Sequence, residues 1–89
     1  MKITCHAQLR QQQRGIPRLI IDLLLDFGAA KRSGEGATTH YFDKRSRRKL
    51  QAYAGKVAPL LAEYLDYYAV VNSDGSVITV APRIKKVRH

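Results

Sequence analysis

The chain has 89 residues, of which 45% are hydrophobic, and sets 16 Lys and Arg against 7 Asp and Glu for a formal net charge of +9. A chain of this length builds one core, so residues 1–89 read as a single domain with a basic tail over about 83–89, and burial of only about 60–65% of the unfolded surface leaves a thin margin of stability. One cysteine excludes an internal disulfide, no apolar leader follows Met1, and the apolar stretch Leu19–Leu25 is broken by Asp22 and too short for a bilayer, so a soluble, cytoplasmic protein is expected.

Thr4 is placed to cap a first helix over about Cys5–Arg14, which Gly15 would end. Its apolar edge is only Cys5 and Leu9, which puts it at the surface, and Cys5 reads as a small buried thiol. Pro17 suits the first turn of a second helix, where its missing donor costs nothing. Ile16, Ile20, Leu23, Leu24 and Phe27 keep helical spacing up to a stop at Gly28. Lys31–Ala37 is a loop by composition, and the β-branched and aromatic run Thr38–Phe42 is a short strand. Asp43 is a cap for a third helix carrying Leu50, Ala54, Val57, Leu61, Tyr64 or Leu65, and Tyr68. Pro59 lacks a backbone donor and its ring clashes with the carbonyl of residue 55, so this helix should kink or split near Val57. Tyr67–Val71 and Val77–Ala81, joined through Asp74-Gly75, form the clearest hairpin. The order helix, helix, strand, helix, strand, strand describes an α+β domain with a small antiparallel sheet.

Charge is segregated along this order. Met1–Ile21 holds Lys2, Arg10, Arg14 and Arg18 and no acid; Lys44–Lys49 holds five basic residues in six; Gly75–His89 holds Arg83, Lys85, Lys86 and Arg88 and again no acid. Such blocks favour a basic face and an anionic partner, nucleic acid above all, RNA more than DNA. His6, Arg10 and Arg14 recur at spacing four, which stacks them on one stripe of the first helix with Gln13 beside it. Their mutual repulsion gains nothing on a bare surface and would be offset by phosphates, which Arg chelates through two parallel donors; the plain alternative is a solvated helix face. In the second block Arg45, Arg47 and Arg48, with Lys44 and Lys49, cannot all share one helix face, and solvated surface is the common outcome for any one of them. The tail carrying Lys85, Lys86 and Arg88 would be an edge or arm that tracks phosphates, or a charged edge that resists aggregation.

Aromatic side chains matter because unpaired bases stack on them. Alternation sends one of Tyr41 and Phe42 inward and the other outward, with His40 on the face of Phe42, whereas Tyr53, Tyr64, Tyr67 and Tyr68 read as core or core rim. One Cys and three scattered His give no metal-ligand spacing, and no phosphate-cradling glycine motif or serine-hydrolase elbow is present, so no cofactor is expected. The remaining His, Arg, Lys and Tyr can cleave RNA without metal, a 2′-hydroxyl attacking the adjacent phosphate while His or Tyr moves protons and Arg or Lys neutralises charge.

The string His6-Ala7-x-x-Arg10-x-x-x-Arg14-Gly15-Ile16 before an apolar helix, and the closing Asp74-Gly75-Ser76-Val77-Ile78-Thr79-Val80 before a basic run, together resemble a family of small prokaryotic domains of unknown function grouped with barnase/RelE-like ribonuclease toxins. The match covers about a third of the chain at its two ends. The resemblance implies two N-terminal helices packed on an antiparallel sheet, with one further helix before the C-terminal hairpin. It also implies a toxin-type, metal-independent endoribonuclease in which His6 or Tyr41 transfers protons and Arg10, Arg14 and Arg83 hold the scissile phosphate, with Arg18 and the other basic residues gripping the strand. Two further readings stand beside it: a non-catalytic nucleic-acid-binding module, and a toxin-like partner of an acidic, antitoxin-like protein.

Overall fold

The computed structural model describes residues 2–83, and the expectations for Lys85, Lys86 and Arg88 lie outside them. It is an α+β fold whose elements run β1 (Lys2–Ile3), α1 (Cys5–Arg14), α2 (Arg18–Phe27), β2 (Ala29–Arg32), β3 (Thr38–Tyr41), α3 (Lys44–Ala54), a short α4 (Ala58–Leu61) between two 3₁₀ turns, β4 (Tyr67–Val71) and β5 (Ser76–Pro82). The strands form one sheet in the order β1-β5-β4-β3-β2, antiparallel throughout except that β1 runs parallel to β5. The sheet is therefore mixed, not purely antiparallel, and two strands precede or follow the N-terminal helices where none was expected.

The local chemistry explains most boundaries. The Thr4 hydroxyl accepts from the Ala7 amide at 3.2 Å, and Gly15 ends α1 in the left-handed region at φ 63°. Asp43 and Ser46 cap α3 reciprocally: the Ser46 amide donates to the Asp43 carboxylate at 2.8 Å and the Asp43 amide donates to the Ser46 hydroxyl at 2.8 Å. These bonds hold the Asp43 carboxyl below the ordinary aspartate range. The third helix ends at Ala54, three residues before Val57, near which the break was expected, and Pro59 opens the first turn of α4 instead of interrupting a longer helix. Tyr64 and Tyr68 thus leave the helix: Tyr64 closes a 3₁₀ turn and Tyr68 belongs to β4.

One correction concerns the segment read as a loop from Lys31. Lys31 and Arg32 pair with Thr39 and Thr38 as the last residues of β2, and only residues 33–37 form the connection. Gly34 and Gly36 both take positive φ there, and the turn signal they give masked the strand before them.

The core lies on one face of the sheet. Ile20, Ile21, Leu23 and Leu24 of α2 pack with Phe42, Leu50, Leu65, Ala69, Val77 and Val80. From α1 the buried residue is Ala7, while Cys5 and Leu9 are exposed, so the expectation of a buried thiol is wrong. A residue without side-chain bulk lets α1 lie close against β5, which explains why Ala, and not a larger apolar group, sits on its inner face. Tyr53 is 74% exposed and touches the fold through Phe27, the rings tilted at 45° with centroids 4.9 Å apart, so it is not a core residue.

Candidate functional site

Strand parity separates the two faces of the sheet. The registers Tyr41 opposite Tyr68 opposite Ala81, and Thr39 opposite Val70 opposite Thr79, put these six residues on the face away from α2 and α3. The same parity sends Ala69, Val80 and His40 toward the helices. A bulge between Val70 and Val71 leaves Ile78 unpaired, and this turns Val77 into the core although Thr79 and Ala81 lie on the open face.

Two clefts occupy this face. One, of about 230 Å³, is lined by His6, Arg10 and Arg14 of α1 with Tyr68, Thr79, Val80 and Ala81. The other, of about 330 Å³, is lined by Lys31, Arg32, Ser33, Thr39, Tyr41, Tyr68 and Arg83. Tyr68 belongs to both and forms the ridge between them. No carboxylate lines either cleft, so six cationic or ionisable basic side chains share one face with no neutralising acid among the lining residues.

Each group is positioned by an identifiable element. The spacing of four carries His6, Arg10 and Arg14 into one cleft from a helix capped at both ends. Arg83 follows β5 directly; its amide donates to the Asp66 carbonyl, and its guanidinium lies 4.6 Å from the centre of the Tyr41 ring. Lys31 and Arg32 come from the edge strand β2, whose partner strand supplies Thr39 and Tyr41.

The residues singled out from sequence thus divide. His6, Arg10, Arg14, Tyr41 and Arg83 are brought together around Tyr68. Arg18, Arg45 and Arg48 line neither cleft. Arg47 turns inward to a structural role: its guanidinium donates to the Phe42 carbonyl at 3.3 Å, the Leu65 carbonyl at 3.1 Å and the Asp66 carboxylate at 2.8 Å. It ties the start of α3 to the entry of β4 and lines neither cleft. Convergence therefore holds for Arg10 and Arg14, with His6 beside them, and for the first residue of the tail, and fails for Arg18 and the central hexad.

Lys31, Arg32 and Tyr68 were not foreseen. Tyr68 was legible in principle, because the alternation that separates Tyr41 from Phe42 also separates Tyr67, packed against the core, from Tyr68 on the open face. Lys31 and Arg32 carried no such signal, lying in a segment that composition marks as a loop.

Among the described residues no group of three His, Cys, Asp or Glu is arranged to hold a metal ion, and no helix is long and apolar enough to cross a membrane. Comparison with family models, with curated proteins and with solved structures finds no match for this chain.

Proposed function

We propose that this protein binds single-stranded RNA across the open face of its sheet. The observation that carries the reading is the acid-free surface on which His6, Arg10, Arg14, Lys31, Arg32 and Arg83 flank the shared ring of Tyr68. Cations on both sides of an aromatic ridge suit a strand whose phosphates lie in the clefts while a base stacks on the ring. Thr39 and Thr79 offer hydroxyls in the same clefts, groups able to bond a 2′-hydroxyl. Fluorescence anisotropy with a labelled single-stranded RNA tests it. Log affinity should fall with log salt with a slope of about −0.7 per phosphate neutralised, and a flat response refutes it.

Cleavage is the second reading, favoured by the placement of His6 in one cleft with Arg10, Arg14 and Tyr68. In that reaction the 2′-oxygen bonds to phosphorus as the bond to the 5′-oxygen breaks. His6 accepts the 2′-proton, the Tyr41 hydroxyl from the neighbouring cleft gives its proton to the leaving 5′-oxygen, and the arginines neutralise the pentacoordinate phosphate. RNA incubated with pure protein and a chelator should then be cut to products ending in a 2′,3′-cyclic phosphate. Arg14→Ala should slow the cut by about 100-fold or more without unfolding the domain. RNA that stays intact assigns the face to binding alone.

A further inference from the structure

We infer that the chain forms a two-fold dimer through the outer face of its helix layer, on the side of the sheet away from the clefts. Five large apolar side chains are well exposed among the described residues, and three of them gather here: Leu19 at 53%, Tyr53 at 74% and Val57 at 50%. Leu19, Tyr53 and Val57 line a groove between α2 and α3 whose floor is Leu23, Leu50 and Leu61 and whose lining has no charged residue. Contiguous apolar surface of this kind on a small, highly charged chain marks a contact surface.

The rims of the groove identify the occupant. On α2, Asp22 and Asp26 fall beside Leu19 by helical spacing, and both are exposed. On α3 and the turn after it, Lys49 and Lys56 fall beside Tyr53 at spacings of four and three, and both are exposed. One rim therefore carries two carboxylates, preceded by Arg18 at the start of α2, and the other carries two lysines. A two-fold axis running along the groove turns the rims over, laying α2 of one copy on α3 of the other, so that Asp22 and Asp26 meet Lys49 and Lys56 twice while the apolar floors face each other. A partner of uniform charge would be repelled by one rim; a second copy matches both.

The net charge of +9 argues against self-association only if the cations face the contact. Here the Lys and Arg of the clefts lie on the other face of the sheet, and the cations beside the groove, Lys49 and Lys56, meet carboxylates across the axis. The dimer leaves both open faces free.

Sedimentation equilibrium on the nuclease-treated full chain at physiological salt tests this. A concentration-dependent monomer–dimer equilibrium is expected. Asp22→Lys with Asp26→Lys should weaken it by about tenfold or more, Lys49→Glu with Lys56→Glu likewise, and all four together should restore it. These positions are exposed, so circular dichroism should show each variant folded. A chain monomeric at every concentration reached overturns the inference, and so does a dimer indifferent to either charge reversal or not rescued by the combination. A monomer that instead takes up an acidic amphipathic peptide in the groove overturns it in favour of a heterologous partner.

Discussion

The Arg83 guanidinium stacks 4.6 Å from the centre of the Tyr41 ring, although Tyr41 ends β3 and Arg83 follows β5, with β4 between them. The contact reaches past Tyr68 on the intervening strand and so fixes a cation beside the ridge that both clefts share. An exposed pair of this kind contributes about 0.5–1 kcal/mol, which is small for stability. Its consequence is for binding, because a guanidinium held in place loses less freedom when a phosphate arrives.

Arg83→Ala should therefore lower affinity for single-stranded RNA and reduce the magnitude of the salt slope by about 0.7, the loss of one phosphate contact. Arg83→Lys keeps the charge but not the planar stacking, so it should preserve the slope while binding more weakly than the wild type. Anisotropy titrations at several salt concentrations separate the two. An unchanged slope in Arg83→Ala would place the RNA elsewhere.

Arg47 and its neighbours should behave in opposite ways. Removing the Arg47 guanidinium leaves the Phe42 and Leu65 carbonyls and the Asp66 carboxylate without this donor, so Arg47→Ala should cost about 2 kcal/mol in urea denaturation. Arg45 and Arg48 are exposed, and their alanine variants should lie within about 0.5 kcal/mol of the wild type. None of the three should change the RNA salt slope, since none lines a cleft.

The contrast between Arg47 and Arg14 shows what a single chain discloses. Periodicity of four on a well-capped helix was enough to place His6, Arg10 and Arg14 on one stripe, because a helix fixes the relative direction of its own residues. The hexad was equally regular, yet where Arg47 points depends on Asp66 and the Leu65 carbonyl, about twenty residues away in the chain and next to it only after folding. Tyr68 failed for a related reason. Apolar spacing continued the third helix through it while Tyr67–Val71 also read as a strand; the chain breaks into short turns after Ala54 and re-enters the sheet at Tyr67, as the strand reading had it. The edge strand β2 was hidden because Ala-Ala-Lys-Arg has little strand propensity and is held by pairing with β3 alone.

His40 supplies a pH dependence. It lies on the core side of β3, its Nδ1 is buried without a hydrogen-bond partner among the described residues, and burial lowers its pKa below the ordinary histidine value. The unfolded chain then binds a proton more readily than the folded one. The contribution of neutral His40 is fully present above the unfolded value of about 6.5 and is lost as pH falls below it toward the lower folded pKa. Urea midpoints measured from pH 8 to pH 5 should decline more steeply for the wild type than for His40→Leu. Parallel curves would remove His40 as the source.

Gly28 joins the end of α2 to β2, and its role is not that of an ordinary helix stop. Its φ of −65° and ψ of 154° are open to any residue, unlike those of Gly15, whose φ is 63°. What a side chain would meet is backbone: a β-carbon at position 28 would collide with the Leu24 carbonyl oxygen and lie 3.0 Å from that of Tyr41. At Gly15 a β-carbon would find nothing within 4 Å. The two glycines therefore make opposite predictions from their dihedral angles and from their surroundings. Gly15→Ala should cost about 1–2 kcal/mol, the conformational penalty of a left-handed residue. Gly28→Ala should cost about 2 kcal/mol or more, because neither carbonyl can withdraw without moving the helix end or the strand. Since the displaced strand carries Tyr41, Gly28→Ala should also weaken RNA binding under conditions where the variant is still folded, while Gly15→Ala, if it perturbs binding, should do so through Arg14 on the other side of Tyr68. Denaturation midpoints and RNA titrations on the two variants, read together, decide whether close packing or backbone conformation governs the α2–β2 junction.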